Sequence, residues 1–113
     1  MSLSTHVLDI SRGKPAAGIA VRVDRAGPED VWTMLADGVT DADGRIATLL
    51  PPHLELTAGS YRLTFDTAAY FRGLGLPLFY PQVIVHFALE TGGGKYHLPL
   101  LLSPFGYSTY RGS

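Results

Sequence analysis

The chain has 113 residues, of which 46% are hydrophobic and 17% charged, so it carries enough apolar side chain for one core and too little charge for global disorder. Nine Lys and Arg against ten Asp and Glu leave a net charge of −1 without a basic cluster, which excludes nucleic acid as a partner class. The absence of cysteine rules out disulfides, thiolate metal sites and thiol nucleophiles, and the absence of asparagine rules out N-linked glycosylation. A single domain over residues 1–113 is expected, and its low charge predicts apolar patches of the kind that mark an oligomer interface. The start of the chain lacks the basic and apolar runs of a secretory signal. No window reaches the ~18 apolar residues of a membrane span, so a cytoplasmic location without membrane association is expected.

Residues 5–10 alternate, with His6, Leu8 and Ile10 on one face and Thr5, Val7 and Asp9 on the other, as in a short strand. Ser11-Arg12-Gly13-Lys14-Pro15 ends it in a turn. Ile19, Val21 and Val23 then alternate with polar neighbours up to Gly27-Pro28, and a further strand over 31–36 is expected to stop at Asp37-Gly38. After the Asp43-Gly44 turn, a strand is predicted over 45–50, halted by Pro51-Pro52. Tyr61, Leu63 and Phe65 form one face of the next. The one helical candidate starts at Asp66 or Thr67, runs through Arg72 and meets Gly73 as its closing glycine. At barely two turns it depends on tertiary packing. A loop over 74–81 leads to a strand whose apolar face is Val83, Val85, Phe87 and Leu89. Gly92-Gly93-Gly94 is predicted to join it to a strand over 96–102 as a hairpin. Seven or eight short strands with turn signals every ~8–12 residues and one tiny helix predict an all-β fold, an antiparallel β-sandwich.

Several motifs fail on inspection. Asp41-Ala42-Asp43-Gly44 is not a calcium loop, since the preceding ligand position is Val39 and the twelfth is Leu50. Gly92-Gly93-Gly94-Lys95 lacks the Ser or Thr and the first Gly of a phosphate loop. No G-x-S-x-G elbow is present, and no two histidines have helical zinc spacing, so neither metal nor cofactor is expected. His6 and His97 stand in apolar surroundings where an imidazole, titrating near neutrality, can exchange protons in a hydrolysis; taken alone, each also fits a structural role. His53 and His86 are read as structural. Arg45, following a tight turn, either pairs with Asp41 or Asp43 or offers its fixed fork of donors to an oxyanion.

Three blocks decide between these alternatives. Leu3-Ser4-Thr5-His6-Val7-Leu8-Asp9 with Gly13-Lys14-Pro15-Ala16, then Asp41-Ala42-Asp43-Gly44-Arg45, then His97-Leu98-Pro99-Leu100-Leu101-Leu102-Ser103-Pro104 running into Tyr110-Arg111-Gly112-Ser113, occur in the order of the 5-hydroxyisourate hydrolases. The chain resembles that transthyretin-related family over essentially its whole length. The final strand, running directly into the Tyr-Arg-Gly-Ser ending, leads to the expectation that this end is held in place. The resemblance implies a transthyretin-like sandwich of two four-stranded sheets with a short helix after the fifth strand. It implies His6, Arg45 and His97 as catalytic residues, with Tyr110, Arg111, Gly112 and Ser113 completing the substrate site, Ser113 as a contact or orienter. It implies a homotetramer, a dimer of dimers with sites where the dimers meet. The implied reaction opens 5-hydroxyisourate at an amide bond of its six-membered ring, giving 2-oxo-4-hydroxy-4-carboxy-5-ureidoimidazoline in urate degradation. The alternative reading is a transthyretin-type binding protein without catalysis. Gln82 and Phe105 depart from frequent family residues, an acidic residue and a tyrosine, and lie outside the proposed catalytic set.

Overall fold

In β1 (Ser2–Asp9) strict alternation sends Leu3, Thr5, Val7 and Asp9 into the interior and leaves Ser4, His6 and Leu8 half-buried on the opposite face. The computed structural model describes residues 2–51, 53–90 and 94–112. Along them follow β2 (Lys14–Pro15), β3 (Ala20–Ala26), β4 (Trp32–Val39), β5 (Arg45–Ile46), β6 (Gly59–Phe65), α1 (Thr67–Gly73), β7 (Val83–Leu89), β8 (Lys95–Ser103) and β9 (Gly106–Thr109). One sheet has the order β2-β1-β8-β9 with β5 also paired to β1, and the other has the order β4-β3-β6-β7. Leu3, Val7, Leu98, Leu100 and Leu102 from the first meet Val21, Val23, Leu63, Phe65 and Val83 from the second in one apolar core. The transthyretin-like sandwich expected from the sequence is present. The first sheet has five strands rather than four because β2 and β5, two residues each, both pair with β1.

Four expectations are corrected. The strand expected over 45–50 is only β5, because Leu49 and Leu50 turn inward to the core instead of continuing the ladder. The strand expected to stop at Asp37-Gly38 runs on to Val39, since Arg22 and Val21 of β3 pair with these two residues. The predicted hairpin between β7 and β8 does not form: β7 pairs with β6 and β8 with β1 and β9, so the connection crosses between sheets, and Gly92 and Gly93 lie outside the described residues. Among the described residues the strands pair antiparallel except β1 and β8, which run parallel from Ser2↔Lys95 to Asp9↔Leu102. The hairpin partner of β8 is instead β9, a strand too short and exposed to carry an alternation signal.

α1 begins without a side-chain cap from Asp66; Thr67 Oγ1 donates instead to the Tyr80 carbonyl at 2.6 Å. The left-handed residue that closes it is Gly75, two places beyond the predicted Gly73, with Leu76 N–H bonded to the Phe71 carbonyl at 3.0 Å. Fully buried Phe71 holds the short helix to the core. Among the described residues no helix is long and apolar enough to cross a membrane.

A polar contact ties α1 to the end of β1. Asp9, with no exposed surface, accepts hydrogen bonds from Tyr70 Oη at 2.6 Å, Ser11 Oγ at 2.6 Å and the amides of Ser11 and Arg12. Burial alone would raise its pKa, but these donors outweigh burial and hold the carboxyl below its ordinary 3.8. Burial and the same bond push the Tyr70 phenol up to about 12. A depressed carboxylate pKa adds stability that is present above the unfolded value and lost as pH falls through the folded one. Tyr70→Phe leaves the buried carboxylate one donor short and should cost about 1–3 kcal/mol at neutral pH. Denaturant titrations at several pH values check this: the gap between wild type and variant should narrow as Asp9 becomes protonated below pH 3.8.

Candidate active site

The parallel pairing of β1 with β8 sets Ser4 beside His97 and His6 beside Pro99, and paired residues share a sheet face. On the other side of β1, His6 pairs with Arg45 of β5. Ser4, His6, Arg45 and His97 therefore converge on the outer face of the first sheet, from segments 93 residues apart at the widest. An open groove of about 570 Å³ is lined by Ser4, Arg45, Thr48, Lys95, Tyr96 and His97 among others, and His6 stands next to Arg45 beside it.

Arg45 owes its place to the turn before it. Asp41 Oδ1 accepts from the amides of Asp43 and Arg45, each at 2.9 Å, and the Asp41 amide returns a bond to the Arg45 carbonyl at 2.9 Å. The Asp41 carboxylate is thus spent on backbone. Among the described residues the Arg45 guanidinium has no carboxylate partner, since the ion pairs join Arg22 and Arg62 to Asp24 on the other sheet. Gly44 fits at φ +75°, its carbonyl bonded to the Val7 amide at 2.7 Å. A Cβ there would run into the Val7 carbonyl, so only glycine lets this turn lie against β1 and bring Arg45 to His6.

His97 is gripped on both flanks. Nδ1 lies 2.7 Å from Ser4 Oγ, and Gly112 forms an antiparallel bridge to His97, its amide 2.7 Å from the His97 carbonyl. A Cβ on Gly112 would stand 2.7 Å from His97 Cδ2. Pro99 explains why the chain returns to β8 only there. Lacking an amide to donate, it ends the β8–β9 ladder at Leu100↔Thr109, where Thr109 Oγ1 reaches the Pro99 carbonyl at 2.7 Å. Burial, then the charges of Arg45 and His6, hold the His97 pKa below its ordinary 6.5, against a raising contribution from a hydrogen bond to the Ser4 backbone. At neutral pH His97 is an uncharged imidazole.

The other predicted site residues are placed differently. Arg111 turns to the opposite side, its guanidinium 4.8 Å from the centre of the Tyr96 ring, next to a small apolar cavity lined by Leu3, Phe87, Leu89 and Leu98. Tyr110 is exposed, and Ser113 lies outside the described residues. His86 is remote from the groove, on the other sheet, edge-on to Trp32 at 5.5 Å between ring centres. Ser4 and Lys95 were not anticipated, although each stands two residues before a candidate histidine and so on the same strand face. Among the described residues no three His, Asp or Glu side chains converge as metal ligands.

Two facing sheets with a cationic, histidine-bearing groove on the outside of one define a transthyretin-like sandwich. The chain belongs to the HIUase/Transthyretin family, whose model matches residues 3–112. It is 47% identical over 116 residues to the 5-hydroxyisourate hydrolase of Caulobacter vibrioides, covering 98% of this chain and 97% of that one. Among solved structures it resembles Klebsiella pneumoniae 5-hydroxyisourate hydrolase, with TM-score 0.85, 43% identity and full coverage of both chains. It also resembles sea bream transthyretin in complex with thyroxine, with TM-score 0.91 and 38% identity over 99% of this chain and 95% of that one.

Gly112→Ala should push the His97 ring from its place without touching the core. Displacing a reacting group by about 1 Å can cost roughly a hundredfold in rate. Steady-state kinetics beside a thermal melt check this: activity should fall by about that factor while the melting temperature stays near wild type.

Proposed function

We propose that the protein hydrolyses 5-hydroxyisourate to 2-oxo-4-hydroxy-4-carboxy-5-ureidoimidazoline. The observation that carries this reading is the convergence of His6, Arg45 and a neutral His97 on one face of the sheet, with the guanidinium uncommitted to any carboxylate among the described residues. The names of the bacterial relatives at 43–47% identity supply the substrate.

In the proposed mechanism His97, kept uncharged by burial and then by its cationic neighbours, takes a proton from water as the oxygen attacks the C6 carbonyl. Arg45 receives the oxyanion that develops there. The C6–N1 bond breaks, the leaving nitrogen collects a proton with the help of His6, and the carbonyl carbon becomes the new carboxylate. No covalent enzyme intermediate is needed, and Ser113 acts as a substrate contact or orienter. The protein works as one domain over residues 1–113 and as a cytoplasmic homotetramer, a dimer of dimers with sites where the two dimers meet. An exposed aromatic strip supports association: Phe79 and Phe105 lie 6.1 Å apart and Tyr80 and Tyr107 5.1 Å apart, beside the edge strand β9.

The likeness to a thyroxine complex favours a second reading, a carrier of aromatic ligands in the same channel. The polar lining of Arg45, Lys95 and His97 argues against it, because an apolar ligand would strip water from these groups without pairing them.

With 5-hydroxyisourate generated in situ from urate by urate oxidase, Arg45→Ala should lower the rate roughly a hundred- to a thousandfold, the effect of losing one oxyanion donor. A loss under tenfold removes Arg45 from that role. In wild type the acid limb of the rate should lie below pH 6.5, because the neutral base is lost only as pH falls through its depressed pKa. Removing the Arg45 charge should move that limb upward.

A further inference from the structure

We propose that Ser4 is a positioning residue that holds the proton of His97 on Nδ1 and so leaves Nε2 as the basic nitrogen facing the groove. The inference rests on the hydrolase reading for its kinetic consequence, but its geometry stands alone. A neutral imidazole carries one proton, and the partner of one nitrogen decides which nitrogen keeps it. Ser4 Oγ lies 2.7 Å from Nδ1, close enough for a hydrogen bond in either direction. The groove that His97 lines carries Arg45 and Lys95, and an N–H pointed toward those cations is disfavoured, so the ring keeps its proton on the side of the Ser4 hydroxyl, which accepts it.

A flip of the ring would trade the Ser4 bond of Nδ1 for a carbon. Gly112 closes on the Cδ2 edge so tightly that a Cβ would stand 2.7 Å from it, and a flip would put Nδ1 there instead. With Nδ1 and Cδ2 both held, the distal end carrying Nε2 is what the ring presents to the groove that His97 lines with Ser4, Arg45 and Lys95. The charged groups on its side are His6 on β1, Arg45 on β5 and Lys95 on the strand of His97 itself, while Arg111 lies on the opposite side beside Tyr96. All are cationic or neutral, so among the described residues no carboxylate competes with Ser4 for the ring proton. The hydroxyl hydrogen of Ser4, not needed by His97, remains available to the groove. This assigns the base to His97 and leaves proton delivery to His6.

Two measurements test the proposal. In wild type, ¹⁵N chemical shifts of His97 at pH 8 should report protonated Nδ1 and bare Nε2. The reverse pattern would overturn the proposal whatever the activity. In kinetics, Ser4→Ala should lower kcat by roughly ten- to a hundredfold, the range typical of losing the partner that orients a functional imidazole, with KM little changed. Its acid limb should move to lower pH, since an acceptor for the imidazolium is gone, and Ser4→Thr should restore most of both. Wild-type kcat and an unmoved limb in Ser4→Ala would overturn the positioning role. If wild type itself does not accelerate decay of 5-hydroxyisourate, the hydrolase reading fails while the ¹⁵N pattern still decides the proton's position.

Discussion

The parallel pairing of β1 with β8 is the constraint on which the site depends. Among the described residues it is the one parallel ladder, and its register places Ser4 against His97 and His6 against Pro99. A slip by one residue would turn His6 and His97 into the core and Leu3 and Val7 out of it. Burial of Leu3, Val7, Leu98 and Leu100 therefore enforces the register that aligns the two histidines. The buried Thr5 hydroxyl, bonded to the Leu98 carbonyl at 2.7 Å, adds a polar pin between the same two strands.

Around that pair, short segments deliver single groups. β5 is two residues long, and its use is to bring Arg45 beside His6, through a turn that Asp41 stitches and Gly44 fits against the sheet. Pro99 ends one ladder so that Gly112 can begin another contact against His97. The same economy operates at the other end of β1, where the Asp9 carboxylate fastens the helix by Tyr70. Rigid strands thus carry the functional side chains while weak elements hold them in place.

Much of this was legible from the residues. The alternation in residues 5–10 located β1 and grouped His6 with Leu8, and the Val83, Val85 and Leu89 face of β7 was equally plain. The pairing of strands was not. Gly92-Gly93-Gly94 looks like a hairpin turn because glycine reports local permissiveness and not which sheet the next strand joins. The parallel partner of β1 lies some ninety residues away, a distance that no periodicity records. Arg45 could be read either as paired with Asp41 or Asp43 or as a free donor. Only the folded turn, in which the Asp41 carboxylate is taken up by amides, decides for the second. Ser4 escaped notice because a serine at a strand end is unremarkable until its partner is in place.

The most direct test follows the ultraviolet absorbance of 5-hydroxyisourate, formed in situ by urate oxidase, with the intact protein, with His97→Ala and with a chain lacking Arg111, Gly112 and Ser113. Circular dichroism would establish that all three are folded. Faster decay with the intact chain and background decay with both variants is the predicted result. Background decay with all three, from folded protein, would contradict the hydrolase account and direct attention to ligand binding in the same groove.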